Sequence, residues 1–79
     1  MKLRRLPPLT AIRAFDAVAR HASFKRAAEE IGVTATAISH QLRLREDALY
    51  LRLFIRSARA VTLTRAGEIL FRASGNMFA

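Results

Sequence analysis

The stretch FKRAAEEIGVTATAISHQ, residues 24–41, contains the signals for two short helices and a turn between them. Gly32 follows the first helical segment, and glycine adopts the left-handed conformation that ends a helix without steric cost. The small pair Ala27 and Ala28 allows close approach of two helices, and Ile38 comes six residues after the glycine, where it returns to Ala28. This spacing predicts a helix-turn-helix.

Hydroxyl residues indicate where the two helices begin. Ser23 precedes the first helix and Thr34 precedes the second, and both residue types are favoured N-caps. Ser23 has a second interpretation, because the free amides at its helix start can hold a phosphate. Lys25 and Arg26 follow it and leave two readings open, phosphate contact or a solvated face.

The inward face of the second helix, which we extend to about Leu49, follows from a rotation of about 100° per residue. With Ile38 as the inward direction, Leu42 and Leu49 also face the core. Arg45 falls within about 20° of that direction, where an aliphatic side chain is expected. We therefore expect Arg45 to reach the surface along its methylenes or to meet a carboxylate, such as that of Asp16.

The outward face of the same helix is polar. Its residues are Ala35, Thr36, Ser39, His40 and Arg43. Small hydroxyl residues permit close approach to a base pair, and histidine and arginine can reach base edges or phosphates. The pattern suits a helix inserted into the major groove of DNA, although an ordinary solvated face remains an alternative.

The charge of the chain favours a nucleic-acid partner. The formal net charge is +8 over 79 residues, and residues 48–67 contain no acidic side chain although they contain four arginines. Such a concentrated positive charge is typical of proteins that bind nucleic acids. The length allows one small domain.

Other function classes lack the residues that they need. The chain has no cysteine, which excludes disulfides and thiolate metal sites. It has neither an apolar run of about 18 residues nor a signal peptide, so we expect a cytoplasmic protein with no membrane partner. Ser39 and His40 point about 100° apart on one helix, which does not suit catalysis. We predict neither a catalytic site nor a metal site.

A hairpin follows the second helix of the motif. Apolar and polar residues alternate over residues 53–63, which predicts two short strands with a tip at 57–60. Arg56 and Arg59 flank the tip. A small basic hairpin in this place is a wing, and an arginine on it can enter the minor groove.

Two further helices enclose this region. The first starts at an N-cap, Thr10, after an extended Pro7-Pro8 entry. The last starts after Thr64, and its apolar stripe consists of Ala66, Ile69, Leu70, Ala73 and Met77, with Phe71 and Phe78 outside it. An exposed apolar helix marks a protein contact, so we expect a homodimer through this stripe.

These residues together resemble the N-terminal DNA-binding domain of LysR-type transcriptional regulators, over about residues 6 to 72. The resemblance lies in LPPLTAIRAFDAVARHASFKRAAEEIGVTATAISHQL, in Leu53-Phe54 with Arg56, and in LTRAGE. It implies a mainly α fold, a winged helix-turn-helix with a three-helix core, a short β-hairpin wing and a C-terminal linker helix. It also implies DNA contact through the outward residues of the second helix and through Arg56 and Arg59.

The resemblance divides the chain into three parts. They are a basic tail at 1–6, a winged helix-turn-helix at 7–64 and the start of a linker helix for dimerisation at 65–79, with the helix-turn-helix at about 24–43 and the wing at about 53–63. The family's effector domain is absent from this sequence. We expect no cofactor in this chain, since a small-molecule co-inducer would bind that domain, and the resemblance admits RNA polymerase as a further partner.

The chain departs from the family pattern at several positions. The family usually has Gln, Ser or Pro types where Ala35 and Thr36 stand, so a target sequence cannot be transferred. It commonly has Leu-Glu at 45 and 46 and Gly, aliphatic, Pro at 50–52, where this chain has Arg45-Glu46 and Tyr50-Leu51-Arg52. The alternatives that remain are a truncated regulator fragment and a helix-turn-helix module for protein interaction without DNA contact.

Overall fold

The computed structural model describes residues 7–58 and 60–78, with side chains over 11–58 and 60–73. Its elements are α1 (Pro7–His21), α2 (Phe24–Ile31), α3 (Ala35–Leu49), β1 (Phe54–Arg56), β2 (Val61–Leu63) and α4 (Arg65–Phe78). The first three helices pack around one core, and the hairpin and α4 cover its open side. The prediction of a mainly helical winged helix-turn-helix is confirmed.

The turn of the motif has the predicted local chemistry. The Ser23 hydroxyl accepts a hydrogen bond from the Arg26 amide at 3.1 Å and caps α2. Gly32 ends α2 with a φ of 90°, and the Thr34 hydroxyl accepts from the Ala37 amide at 3.1 Å to cap α3. Each of these signals acts within one turn, so the sequence alone was sufficient to locate them.

The first helix starts earlier than predicted. We expected Pro7-Pro8 to form an extended entry and Thr10 to be the N-cap, but α1 already begins at Pro7. Proline is well suited to the first turn of a helix, because its missing amide hydrogen has no acceptor there and its φ is already helical. Thr10 therefore lies inside α1.

The inward face of α3 is rotated relative to the prediction. Its buried residues are Ile38, Leu42 and Glu46, whereas Leu49 is 46% exposed and Arg45 is half-buried. With Leu42 as the centre, Ile38 and Glu46 each lie about 40° away and Arg45 about 60° away. The expectation that Arg45 faces the core is thus wrong, because the inward position is occupied by a carboxylate.

The wing is a short antiparallel hairpin, as predicted. Phe54 pairs with Leu63 and Arg56 pairs with Val61. The Ser57 side chain closes the tip, because its hydroxyl donates to the Ala60 carbonyl at 3.0 Å and accepts from the Ala60 amide at 3.1 Å. A hydroxyl thus supplies the turn that Gly, Asn or Asp usually provides in hairpins.

The link between α3 and the wing contains a strained residue. Tyr50 has a φ of 56° and caps the C-terminus of α3 in the left-handed conformation. This is the position where the resembled family usually has glycine, and a side chain there costs roughly 1 to 2 kcal/mol relative to the right-handed region. The C-terminus of α3 therefore ends in a left-handed turn although its cap is a tyrosine.

Aromatic side chains join the helices to the wing. Phe54 lies 5.3 Å from Phe15 of α1 and 6.2 Å from Phe24 of α2, measured between ring centroids. Phe71 of α4 packs edge-on against Phe15 at 6.4 Å. Phe71, which the sequence placed outside the exposed apolar stripe of α4, therefore packs toward the core.

The start of α4 fits tightly under the wing. Gly67 is buried, and a Cβ at this position would overlap the carbonyl oxygen of Leu53. The Thr64 hydroxyl accepts from the Gly67 amide at 3.0 Å and donates to the Arg52 carbonyl at 2.6 Å. Thr64 therefore caps α4, as predicted, and also fixes the loop before β1.

Ionic contacts connect α1 and α2 on the surface. Arg20 donates to Asp16 at 2.7 Å and to Glu30 at 3.2 Å, and Nε2 of His21 lies 2.7 Å from Glu30. The expected contact of Asp16 with Arg45 is replaced by this pairing with Arg20. Arg20 and then His21 lower the pKa of Glu30 from 4.5 to about 2.

None of the described helices is both long and apolar enough to cross a membrane.

We expect Glu30→Gln to reduce stability at neutral pH and to have less effect in acid. A carboxylate whose pKa is depressed by folding contributes stability above its unfolded pKa and loses it as the pH falls through the folded pKa. The difference in unfolding midpoint between parent and variant should therefore be complete above pH 4.5 and shrink toward pH 2. Denaturant unfolding across this range measures it.

Glu29→Gln makes the same change of charge one residue earlier on the exposed face of α2. At neutral pH this control should stay within about 0.5 kcal/mol of the parent, as surface substitutions usually do. A Glu30→Gln difference that is independent of pH would show that the carboxylate charge does not hold α1 to α2.

Candidate nucleic-acid interface

A shallow groove runs along the exposed face of the first turns of α3. Its lining residues are Phe24, Ala35, Thr36, Ser39, His40 and Arg43. Five of these are the residues that the sequence predicted for base and phosphate contact, and the structure brings them together on one surface. Phe24 comes from α2 and forms an apolar wall that was not predicted.

The groove combines donors and acceptors of different length. Thr36, His40 and Arg43 are exposed, and Ala35 and Ser39 lie half-buried between them. Short side chains are therefore at the helix start and the long arginine lies two turns further along. A helix with this profile can bring its N-terminus close to base edges while the arginine reaches across to a guanine or a phosphate.

The two helix starts beside the groove are also polar. Ser23 and Thr34 use their hydroxyls as caps, while Lys25 and Arg26 extend from the exposed side of α2. The first amides of a helix have no acceptor within it, so both helix starts favour an anion nearby. Phosphate contact by these four residues remains a prediction.

Arg56 lies in a different environment from the one predicted. Its side chain is 17% exposed, its Nη2 lies 3.1 Å from Oε1 of the buried Glu46, and its guanidinium stacks 5.2 Å from the Phe24 ring. Burial lowers the pKa of Arg56, and the neighbouring charges of Arg43 and Arg52 lower it further, against the opposing effect of Glu46. Arg56 thus packs against Glu46 and Phe24 instead of projecting from the tip of the wing.

Glu46 is the residue beneath the interface that the sequence analysis missed. Its Oε2 accepts hydrogen bonds from the amides of Leu53 at 2.7 Å and Phe54 at 3.0 Å, and the residue is 2% exposed. The contact with Arg56 is mainly electrostatic, because the buried Oε1 of Glu46 and Nε and Nη2 of Arg56 have no aligned hydrogen-bond partner. One carboxylate therefore joins α3 to β1.

A sequence signal for both missed residues exists. Glu46 follows Ile38 and Leu42 at intervals of four residues, which is the spacing of one helix face, but a charged residue is rarely assigned to a core. Phe24 directly follows the Ser23 cap, where an aromatic ring can lie at the junction of two helices. Only the tertiary contacts with Phe54 and Arg56 reveal these roles.

Two predicted site residues lie outside the described side chains. Arg59 at the wing tip is one, and Met77 of the dimerisation stripe is the other. Within the described part of the chain, no group of three or more histidine or acidic residues is placed to hold a metal ion. The interface is therefore built from hydroxyl, imidazole, guanidinium and aromatic groups.

Comparison with known families identifies a close match. Residues 9–68 match the model of the "Bacterial regulatory helix-turn-helix protein, lysR family". The chain is 56% identical over 68 residues to the glycine cleavage system transcriptional activator of Escherichia coli K12, and 52% identical over 63 residues to the transcriptional activator AmpR of Pseudomonas aeruginosa. These alignments cover 86% and 80% of this chain but only 22% and 21% of those relatives.

Solved structures with the same fold include two protein–DNA complexes. The DNA-binding domain of BenM bound to benA site 1 has a TM-score of 0.83 and 27% identity, covering 89% of this chain and 79% of that one. The CbnR DNA-binding domain in complex with DNA has a TM-score of 0.81 and 28% identity, with coverage of 87% and 79%. The oxidised form of Corynebacterium glutamicum OxyR has a TM-score of 0.84 and 29% identity over 96% of this chain and 25% of that one.

Proposed function

The chain belongs to the LysR family of bacterial regulatory helix-turn-helix proteins, and we propose that it binds double-stranded DNA sequence-specifically and thereby regulates transcription. The observation that carries this proposal is the groove on α3, where the exposed Thr36, His40 and Arg43 lie beside the half-buried Ala35 and Ser39. The solved relatives bound to DNA support it.

The proposed contacts divide into base readout and backbone positioning. Residues 35–43 of α3 enter the major groove, where each base pair presents a distinct pattern of donors and acceptors. Ser23, Lys25, Arg26 and Thr34 lie at the helix starts and bind phosphates, which fix the register of α3 without reading sequence. The net charge of +8 adds attraction to the backbone that does not depend on sequence.

The wing has a divided role in this proposal. Arg59 keeps the predicted contact with the minor groove, where a narrow groove attracts an arginine. Arg56 instead stabilises the wing from within, because its guanidinium is already engaged by Glu46 and Phe24. The contacts of Arg56 with Glu46 and Phe24 therefore disfavour the predicted direct contact between Arg56 and DNA.

Dimerisation through α4 is the second element of the proposal. Ile69 is 62% exposed and Leu70 is 37% exposed, while Ala73 lies one turn further on the same side. Ala66 packs against the core, so it belongs to the inner edge of the stripe. Two paired domains would read half-sites about one helical turn, ~34 Å, or a multiple of it apart.

The complete regulator would contain more than this domain. The chain spans about a fifth of the length of the curated relatives that it matches. We propose that a small-molecule co-inducer binds a further domain, that the chain itself takes no cofactor, and that RNA polymerase is the partner through which transcription responds.

Duplex binding should be strongly dependent on salt. Lys and Arg side chains that neutralise phosphates release condensed counterions, so the affinity should fall roughly a hundredfold or more between 50 and 200 mM salt. Fluorescence anisotropy with a labelled duplex obtained by selection from a randomised pool measures this. A flat salt dependence would exclude backbone contact and favour a helix-turn-helix that binds protein.

Arg43→Ala tests base readout directly. If Arg43 makes a bidentate contact with a guanine, its loss should cost about 1 to 3 kcal/mol of binding free energy and relax the preference at one base pair. Binding of the parent and the variant to a panel of single-base-pair changes measures both effects. Arg13→Ala on the surface of α1 is the control, and equal weakening of every duplex by Arg43→Ala would assign Arg43 to a phosphate.

Ile69→Glu tests the dimer. A charge in a self-complementary apolar contact should weaken the dimer at least tenfold, or about 1.4 kcal/mol. Sedimentation velocity over a concentration series compares it with Ile55→Glu, which places the same change at a residue 57% exposed on the wing. Dissociation caused equally by both variants, or by neither, would contradict pairing through α4.

A further inference from the structure

Three arginines, Arg43, Arg52 and Arg56, lie near the junction of α3 and the wing. Arg56 contacts the Glu46 carboxylate directly, and Arg43 lies one helical turn before Glu46 on α3. Arg52 lines a surface groove together with Glu46, Asp47, Tyr50 and Leu51. Arg43 and Arg52 are both close enough to lower the pKa of Arg56, after the larger effect of its burial.

The acidic residues in this place do not neutralise the cluster. The Glu46 carboxylate already interacts with the Leu53 and Phe54 amides and with Arg56. Asp47 is exposed and lines the same groove as Arg52, but the two side chains form no ion pair within 4 Å in this described region. Like charges held close together create a local site for an anion.

Two hydrogen bonds hold the peptide unit that joins Arg52 to Leu53. The Arg52 carbonyl accepts the Thr64 hydroxyl at 2.6 Å, and the next amide, that of Leu53, donates to Glu46 at 2.7 Å. The side chain itself is exposed. A guanidinium on a fixed backbone loses less conformational freedom when it binds than one on a mobile loop, which favours a defined contact.

We propose that Arg52 binds a phosphate of the DNA backbone beside the C-terminal half of α3, a contact that rests on the proposed DNA-binding function. Its planar fork can donate two parallel hydrogen bonds to phosphate oxygens. Arg43 borders the same phosphate strand from the recognition groove, and the Glu46-bound Arg56 supplies a fixed positive charge behind both.

The contact would add affinity without changing which bases α3 reads, because phosphate contacts carry no direct sequence information. Arg52 lies outside the residues that the sequence predicted for DNA contact.

The test is the salt slope of duplex binding by the parent, Arg52→Gln and Arg52→Lys. Each phosphate contact contributes about 0.9 to the slope of log affinity against log salt. Arg52→Gln should make the slope less steep by about this amount. If the plots of log affinity against log salt for the parent and the variant meet at 1 M salt, the difference is roughly eightfold in affinity at 0.1 M. Arg52→Lys should keep the slope, and the loss by Arg52→Gln should be equal for every duplex.

Arg13→Gln is the matched control, because Arg13 is exposed on α1 beside Asp16, Arg20 and Glu30. It should leave the slope unchanged. The inference is overturned if Arg52→Gln keeps the parent slope, if Arg13→Gln lowers it equally, or if the loss is confined to one base pair. A parent protein that fails to bind duplex DNA at low salt would instead contradict the proposed function itself.

Discussion

The Glu46 carboxylate is the constraint on which the arrangement of the interface depends. It lies in the interior with its two oxygens directed at different partners, the Leu53 and Phe54 amides on one side and the Arg56 guanidinium on the other. A buried carboxylate without such partners would cost several kcal/mol, so the helix and the wing must stay in register to keep it satisfied. The position of the wing relative to α3 follows from this requirement.

Several independent contacts converge on the same two residues of the wing. The Phe54 ring lies between Phe15 and Phe24, and the Leu53 carbonyl accepts the Thr64 amide at 3.0 Å while touching the space that Gly67 leaves open. Strand β1 is thereby fixed to α1, α2, α3 and the start of α4. A domain of 79 residues has a thin core, and this convergence lets a three-residue strand keep a defined place.

The features predictable from sequence were those that act locally. Ser23, Gly32 and Thr34 determine the helix ends within one turn, and the alternation at 53–63 locates the hairpin, so the fold and the composition of the α3 groove followed from the sequence and the family resemblance. Features that depend on tertiary contact were missed. Arg45 and Leu49 were predicted to face inward, whereas the structure buries Glu46. The polarity of Glu46 does not indicate that its carboxylate has three partners in the interior, namely the Leu53 and Phe54 amides and Arg56.

The orientation of side chains on the outer elements was equally hidden. Phe71 turns inward because its ring packs against Phe15. Arg56 turns inward because its guanidinium pairs with the Glu46 carboxylate and stacks on the Phe24 ring. Neither partner is near in sequence, so no periodicity within α4 or β1 indicates the contact. Arginine is a residue type that commonly binds DNA, but Arg56 instead stabilises the interior of this domain.

The unfolding free energy of Glu46→Gln, measured by denaturant titration against Asp47→Asn, tests most directly whether this carboxylate holds the wing to α3. The amide keeps the size of the side chain but removes the charge, so we expect a loss of about 3 kcal/mol or complete unfolding, as for a broken buried ion pair. The exposed Asp47→Asn should stay within about 0.5 kcal/mol of the parent. A Glu46→Gln domain as stable as Asp47→Asn would contradict the claim that this carboxylate holds the wing to the recognition helix.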